Sequence, residues 1–407
     1  MAAQAAPAFN PFSPPFSSSP LSCSAPPPLS PPLVFDPTLF STIPSIPPAF
    51  IWPEAAHDQQ ATTPLHAQQF IEVPIIDLAQ FRECSTSQAV ADIAAQASTN
   101  IGFFHIVNHG VQQSLIDRVH AHMQGFFDQS LSTKQKACRL PGESFGYASS
   151  FTGRFSSRLP WKETMSLQPS PFSNISTLLE KVFGDEHTDG SICHQHLMES
   201  GLNFSCLWIL NSKAFEEYSR EMMRVGLEVM EVLAMGLGLE KGALRRFFEF
   251  PDNSSILRLN YYPPCQQPGL TFGTGPHTDP TALTLLHQDN VSGLQVLHKG
   301  AWFTVSPRAD AFVVNIGDTL MALTNQRYKS CVHRALVNSK TARRSMAFFF
   351  NPGFNTTLSA PEQLVDEANP RAFHDFTWAK FLFFTQSVHR SGVNSLQNFN
   401  SWLAAQT

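Results

Sequence analysis

Eight short apolar runs between residues 255 and 351 are the feature that most restricts how this 407-residue chain can fold. Pro, Gly or Asn residues lie between successive runs, and such residues commonly interrupt strands. The runs are Ile256–Tyr262, Leu283–His287, Leu294–Leu297, Trp302–Val305, Ala311–Ile316, Leu320–Leu323, Cys331–Leu336 and Ser345–Phe350. This spacing predicts a closed or sandwiched β architecture of the jelly-roll type.

The rest of the chain divides by composition. Residues 1–60 hold nearly half of the 31 prolines. Because proline lacks an N–H group and fixes φ, we expect a disordered arm without a catalytic role. Residues 61–250 carry apolar side chains at helical spacing and predict a mostly helical region. Residues 251–355 contain the β core and residues 356–407 a helical tail, so the predicted class is α+β.

Charge and cysteine usage exclude several classes of protein. With 27 basic and 32 acidic side chains, the net charge of −5 offers no basic surface for nucleic acid or an anionic membrane. No apolar stretch approaches the roughly 18 residues of a membrane span. Seven cysteines without a CxxC motif indicate free thiols, and the first basic residue, Arg82, lies too late for a secretory or transit signal. We therefore expect a cytoplasmic, monomeric protein.

A metal site is indicated by His277-Thr278-Asp279 together with His333, 56 residues after the first histidine. In a strand, residues i and i+2 share a face, so His277 and Asp279 would converge. Two histidines and one carboxylate form the facial triad of non-haem Fe(II) oxygenases, which leaves positions open for O₂ and a co-substrate. Taken alone, a His-x-Asp motif between two prolines also fits a surface turn.

A second pair on one strand face, Arg343 and Ser345, suits the distal carboxylate of 2-oxoglutarate, because arginine binds carboxylates through paired, charge-assisted hydrogen bonds. The alternative is that Arg343 is solvated, as we expect for Arg344 on the opposite face. Asn260 and Tyr262 also share a face. The Tyr262 hydroxyl fits a carboxylate near the metal, and an ordinary strand-end aromatic fits equally well.

Several motifs resemble those of the plant 2-oxoglutarate- and Fe(II)-dependent dioxygenases. They are NYYPPC (260–265), GPHTDPT (275–281), NIGDTLMALTN (315–325), YKSCVHRA (328–335) and RRSMAFF (343–349). The sequence LPWKET (159–164) resembles a signature of gibberellin 20-oxidases. The resemblance runs from about Ile71 to Phe384 and leaves the Pro-rich arm outside.

The resemblance implies a double-stranded β-helix core wrapped by helices and assigns roles to the residues named above. His277, Asp279 and His333 would bind Fe(II). Arg343 and Ser345 would hold the distal carboxylate of 2-oxoglutarate, and Arg343 is also predicted to be the catalytic residue. Tyr262 and Asn260 would lie near the end of the co-substrate that chelates iron. Trp161 and Lys162 are candidate contacts for a carboxylated diterpenoid substrate, and a packing Trp beside an exposed Lys is the alternative.

The implied reaction is the successive oxidation and removal of carbon-20 of gibberellin precursors, with O₂ and 2-oxoglutarate consumed and ascorbate in support. Within the enzyme class, a gibberellin oxidase of another position or a flavonoid oxygenase remains an alternative. A non-catalytic jelly-roll binding protein and a zinc hydrolase are the alternatives from other classes. Neither of them accounts for Arg343 together with the intact triad.

Two groups of histidines are expected to lie outside the iron site. Residues 187–212 depart from the family pattern and are predicted to be an inserted loop. Its potential zinc ligands have no convincing partners at structural-zinc spacing; they are His187, Cys193, His194 and His196. The stretch Gly102–Val111 resembles a structural motif of the family, so His105 and His109 are predicted to be core or turn residues.

Overall fold

Fifteen strands and eleven α-helices form the part of the chain that the computed structural model describes, which is residues 35–40, 42–53, 55, 69–140, 143–149, 158–169, 173–183, 204–249, 254–389 and 393–406. The strands are β1 (Phe70–Ile71), β2 (Ile75–Asp77), β3 (Phe103–Val107), β4 (Gly146–Ser149), β5 (Glu163–Leu167), β6 (Ile256–Tyr262), β7 (Thr274–His277), β8 (Leu283–Gln288), β9 (Leu294–His298), β10 (Ala301–Val305), β11 (Phe312–Ile316), β12 (His333–Ala335), β13 (Arg343–Phe350), β14 (Thr357–Leu358) and β15 (Phe376–Thr377). The helices are α1 (Pro37–Phe40), α2 (Leu78–Arg82), α3 (Ser87–Asn100), α4 (Gln113–Phe127), α5 (Leu131–Gln135), α6 (Ser173–Phe183), α7 (Phe204–Gly236), α8 (Gly242–Arg245), α9 (Asp318–Leu323), α10 (Trp378–Phe383) and α11 (Ser395–Ala404).

Two sheets make up the jelly-roll core. The larger has the strand order β2-β3-β11-β8-β13-β6-β5-β4, and the smaller has the order β1-β10-β9-β12-β7. The pairings are antiparallel apart from β1 with β10 and β2 with β3, while β14 and β15 form a separate ladder. The α+β prediction is confirmed. The strands of the 255–351 region supply four of the five strands of the smaller sheet and four of the eight strands of the larger one.

Alternation along the strands of the larger sheet separates an apolar face from a polar one. On β6, Leu257 and Leu259 are buried in the main apolar core with residues of the helices, while Asn260 and Tyr262 belong to the polar face that forms the site below. Because successive side chains of a strand point to opposite faces, one sheet serves both the core and the site.

The helices cover the apolar face of this sheet. Helix α7 packs against α3, α4 and α6, and buries Phe215, Tyr218, Met222 and Val225. The three- and four-residue intervals place these side chains on one stripe of the helix. In the structure this region contains helices α2 to α8 together with strands β1 to β5.

The region before residue 250 also contributes two strands beyond those predicted from the sequence. Strands β4 and β5 extend the larger sheet, and β5 contains the last two residues of LPWKET. One predicted strand is wrong, because Leu320–Leu323 belongs to helix α9. A four-residue apolar run cannot distinguish strand from helix; here Asp318 begins the helix and the buried Leu320 and Leu323 share one helical face.

The expectation of a disordered arm over residues 1–60 is wrong for residues 35–40 and 42–53. This stretch contains α1 and the 3₁₀ turn Pro48–Phe50, and it buries Phe35, Phe40 and Phe50. The prolines prevent long regular structure but do not prevent packing, since the aromatic side chains between them supply the apolar surface. The rest of the predicted arm lies outside the described residues, apart from Ala55.

The predicted insertion at 187–212 is described only from residue 204, where helix α7 begins. Its candidate zinc ligands His187, Cys193, His194 and His196 lie outside the described residues. Among the helices that the structure describes, none is both long and apolar enough to cross a lipid bilayer.

Candidate active site

His277 and His333 meet because strands β7 and β12 are neighbours in the smaller sheet. The antiparallel register pairs the two residues directly, and the centroids of their rings are 4.2 Å apart. The Nδ1 atom of His277 lies 2.9 Å from the Gly275 carbonyl oxygen, and that of His333 lies 3.2 Å from the Cys331 carbonyl oxygen. Because a carbonyl can only accept, both Nδ1 atoms donate, which leaves both Nε2 atoms as potential ligands.

Asp279 supplies the carboxylate, although it does not lie in a strand as predicted. Strand β7 ends at His277, and the Asp279 backbone is held by a hydrogen bond from the Asp318 N–H to its carbonyl, 2.7 Å long. The Asp279 Oδ2 atom accepts hydrogen bonds from the Thr284 hydroxyl at 2.7 Å and the Asn315 amide at 3.0 Å. These bonds fix the carboxylate without the i, i+2 strand geometry.

The three side chains form a compact group of donor atoms. The Asp279 oxygens lie 3.5 Å from Nε2 of His277 and 3.6 Å from Nε2 of His333, and all the donor atoms lie within 4.8 Å of one another. Two imidazoles, one carboxylate and a set of outer hydrogen bonds fit a non-haem Fe(II) site. The structure therefore brings together the three residues that the sequence predicted.

Asp279 is buried, and burial alone would raise the pKa of its carboxyl group. This effect is outweighed by the charge interactions with His333 and His277 and by the hydrogen bonds from His277 and Thr284. Together they hold the pKa of Asp279 well below its ordinary value. The carboxylate is therefore ionised at neutral pH, as a metal ligand has to be.

The predicted co-substrate residues lie opposite one another on β13 and β6. Arg343 pairs with Tyr262, and Ser345 pairs with Asn260, whose amide donates to the Ser345 hydroxyl at 3.4 Å. The guanidinium carbon of Arg343 lies 5.0 Å from the Tyr262 ring centroid. Tyr262 thus lies beside Arg343, at the end predicted to hold the distal carboxylate, rather than at the chelating end to which the resemblance assigned it.

Arg343 is 2% exposed and only partly satisfied. Its Nη2 atom donates to the Gln288 side chain at 2.6 Å, whereas its Nε and Nη1 atoms have no hydrogen-bond partner among the described residues. Gly293 leaves room for the side chain, because a Cβ there would lie 2.9 Å from the Arg343 Cδ atom. A buried cation with unpaired donors is costly unless an anion binds, and a carboxylate fits.

The alternation predicted for Arg344 is confirmed, although the side chain is half-buried rather than fully solvated. Its guanidinium lies on the other face of β13, 5.3 Å from the ring centroid of Tyr261. The two adjacent arginines therefore face different environments.

Trp161 and Lys162, the candidate substrate contacts, are both buried. The Trp161 ring is surrounded by Phe35, Phe40 and Phe50, with centroid distances of 5.1 to 5.6 Å. This enclosure is that of a packing residue, so the geometry does not support Trp161 as a substrate contact.

Lys162 lies at the co-substrate end of the site. Its ammonium donates to the Thr274 hydroxyl at 2.9 Å and lies 5.7 Å from the Tyr262 ring centroid. Burial lowers the pKa of Lys162 to about 8. Because Lys162 is buried, the alternative of an exposed lysine is wrong.

Three further site residues were missed, namely Thr284, Gln288 and Asn315. Each lies in an apolar strand of the larger sheet, and a polar residue at an inward position of such a strand is the signal that could have identified it. His105 and His109 are buried away from the triad, as predicted.

Comparison with known proteins identifies the family. Residues 253–352 match the model of the 2OG-Fe(II) oxygenase superfamily, and residues 73–183 match that of the non-haem dioxygenase in morphine synthesis N-terminal region. The chain is 47% identical to gibberellin 20 oxidase 1-B of Triticum aestivum, over 89% of this chain and 92% of the relative. It is 46% identical to gibberellin 20 oxidase 3 of Oryza sativa subsp. japonica, over 88% of this chain and 93% of the relative.

A solved structure supports the same assignment. The crystal structure of JOX2 in complex with 2OG, Fe and JA superposes with a TM-score of 0.70 at 27% identity, and the match covers 91% of this chain and 98% of that chain. Sequence relatives, family models and fold agree with the geometry of the His277, Asp279 and His333 group. The chain therefore belongs to the 2OG-Fe(II) oxygenase superfamily and is a relative of the gibberellin 20 oxidases within it.

Proposed function

We propose that this chain is a gibberellin 20-oxidase, which removes carbon-20 from gibberellin precursors by successive oxidations. The observation that carries the proposal is the coexistence of a buried triad, an incompletely paired Arg343 and the LPWKET segment in a chain nearly half identical to gibberellin 20 oxidases. A zinc hydrolase would leave Arg343 unexplained, and a binding protein would not need the triad.

The metal site fits Fe(II), which His277, Asp279 and His333 would hold. When bound there, Fe(II) supplies the oxygen-activating chemistry of the family, in which O₂ and 2-oxoglutarate are consumed and ascorbate supports activity. Thr284 and Asn315 keep the Asp279 carboxylate oriented through their hydrogen bonds. The backbone carbonyls bound by the two histidines keep the Nε2 atoms directed at the metal position.

The co-substrate site consists of Arg343, Ser345, Tyr262 and Asn260. Arg343 binds the distal carboxylate of 2-oxoglutarate with Nε and Nη1, which have no partner among the described residues, and the Ser345 hydroxyl adds a hydrogen bond. Tyr262 covers the guanidinium from β6, and Asn260 orients the Ser345 hydroxyl. This anchoring positions the other end of the co-substrate toward the triad.

The substrate is a carboxylated diterpenoid, and the protein acts in the cytoplasm as a monomer without nucleic-acid or membrane partners. The net charge of −5 supports the absence of a polyanionic partner. The described cysteines Cys84, Cys138, Cys265 and Cys331 are free thiols, which suits a reducing compartment.

The test feeds a panel of twenty-carbon gibberellin precursors to the purified chain with Fe(II), ascorbate and 2-oxoglutarate. We expect substrate-dependent succinate and, by mass spectrometry, nineteen-carbon products. The Asp279→Ala variant is the negative control. Products hydroxylated at another carbon would reassign the position of oxidation, and succinate that does not depend on any gibberellin would overturn the proposed substrate.

A further inference from the structure

The packed residues 35–40 and 42–53, here called the N-terminal segment, bind the chain just before Lys162 through hydrogen bonds. The Leu159 N–H donates to the Ala49 carbonyl at 2.8 Å, and the Trp52 indole N–H donates to the Leu159 carbonyl at 3.1 Å. The N-terminal segment therefore binds both the N–H and the carbonyl of Leu159. More than a hundred residues separate Leu159 from Ala49 and Trp52 along the chain.

Aromatic residues of the N-terminal segment also pack around Trp161. Phe40 stacks on the Trp161 ring, while Phe35 and Phe50 contact it edge-on. The same apolar cluster includes Tyr262, the aromatic residue that lies beside Arg343. The N-terminal segment is therefore part of the apolar cluster that contains Tyr262 rather than a solvated tail.

Lys162 follows Trp161 directly, and its ammonium lies close to Tyr262. The ammonium lies 5.7 Å from the Tyr262 ring centroid, and the Arg343 guanidinium lies 5.0 Å from the same centroid. Thr274 bonds the Lys162 ammonium and also lies 3.5 Å from the Tyr262 hydroxyl. Lys162 makes no ion pair with an acidic residue among the described residues. Two cations, Lys162 and Arg343, therefore lie close to the Tyr262 ring.

We propose that Lys162 is a co-substrate residue rather than a substrate contact, and that the N-terminal segment positions it. Its ammonium gives the distal carboxylate of 2-oxoglutarate a second positive charge beside Arg343. The inference rests on the 2-oxoglutarate site of the proposed function but not on the identity of the substrate. Phe40 and the other aromatic residues act through Trp161 and are positioning residues.

Burial supports this assignment. Lys162 is 8% exposed, and a buried ammonium is costly unless a partner anion compensates it. Burial lowers the pKa of Lys162 to about 8, so at neutral pH the side chain is still mostly charged and available to a carboxylate.

The experiment measures 2-oxoglutarate binding to the Fe(II)-loaded full chain without oxygen and without gibberellin, by titrating the absorption band of the Fe(II)–2-oxoglutarate complex. We expect Lys162→Met to weaken binding about tenfold or more and Lys162→Arg to recover part of the loss. We expect Phe40→Ala to weaken binding several-fold. Leu39→Ala is the matched control, because the neighbouring Leu39 on α1 is 56% exposed.

A double-mutant cycle tests whether the N-terminal segment acts through Lys162. If it does, Phe40→Ala adds little to the loss already caused by Lys162→Met. Phe40→Leu replaces Phe40→Ala if the latter does not fold. An unchanged Kd for 2-oxoglutarate in Lys162→Met, with a raised KM for gibberellin, would return Lys162 to the substrate site and overturn the inference.

The two proposals fail separately. If the variants show these binding effects but the chain oxidises no gibberellin, the proposed substrate is wrong and the co-substrate role of Lys162 still holds. If Phe40→Ala lowers Tm while leaving the Kd for 2-oxoglutarate unchanged, the N-terminal segment is only structural and its positioning role is wrong.

Discussion

His333 lies directly across the β7–β12 ladder from His277, and the register of this one strand pair brings together two of the three proposed metal ligands. The register shifts between His333 and Ala335, so the ladder is regular at the ligand and irregular just beyond it. A slip of one residue would turn His333 to the opposite face of the sheet. The integrity of the metal site therefore depends on correct pairing of β12.

Thr284 is expected to control metal affinity without being a ligand. Its hydroxyl donates to the Asp279 Oδ2 atom, and loss of such an outer hydrogen bond typically costs about 10- to 100-fold in metal affinity or activity. Thr284→Val should therefore weaken Fe(II) or Co(II) binding by that factor in a metal titration, while Thr284→Ser should bind almost normally. Equal affinity of the Val variant and the parent would show that Asp279 needs no support from β8.

Arg343 and Arg344 offer a matched pair of substitutions on adjacent positions. Arg343→Lys loses the paired hydrogen bonds to a carboxylate, so the KM for 2-oxoglutarate should rise about 10- to 100-fold. Arg344→Lys, on the other face of β13, should leave this KM within about twofold of the parent. The check is steady-state kinetics with 2-oxoglutarate varied, and similar effects of both substitutions would contradict the proposed anchor.

Alternation and motif spacing predicted the core of this site. Arg343, Ser345, Tyr262 and Asn260 were placed on shared faces by the period of two, and the structure adds that the two strands are neighbours. Asp279 lies beside His277 and His333, as the sequence predicts, but not through the strand alternation on which that prediction depends. The strand ends before it, and long-range hydrogen bonds that no local pattern encodes hold its carboxylate.

The N-terminal segment shows where composition misleads. Proline content correctly excludes long helices and strands, yet Phe35, Phe40 and Phe50 pack around a tryptophan more than a hundred residues away. Such packing depends on a partner surface formed elsewhere in the chain, so sequence periodicity carries no trace of it. The same reason explains why the sequence alone leaves Trp161 open between a substrate contact and a packing residue.

The affinity for 2-oxoglutarate should depend on pH through Lys162. Burial lowers the pKa of this lysine to about 8, and the other charged groups that act on it are Tyr262, Arg258, Arg139 and Arg343. The ammonium is charged below this pH and loses its proton above it, so binding of the co-substrate anion should weaken as pH rises from 7 to 9. The Kd should rise several-fold in the parent and stay nearly flat in Lys162→Met; parallel curves would contradict the assignment.

Glu163, the next residue of LPWKET, should contribute to stability rather than to binding. Its carboxylate lies 2.7 Å from the Lys134 ammonium and accepts a hydrogen bond from the Tyr147 hydroxyl, and both members of the ion pair are almost completely buried. Glu163→Gln leaves the Lys134 ammonium buried without its counter-charge, so the free energy of unfolding should fall by about 3–5 kcal/mol in denaturant titrations. Asp310→Asn, which breaks the exposed pair with Arg308, is the control and should cost less than about 1 kcal/mol. Equal costs for the two substitutions would mean that the pair inside LPWKET stabilises the fold no more than a surface pair does.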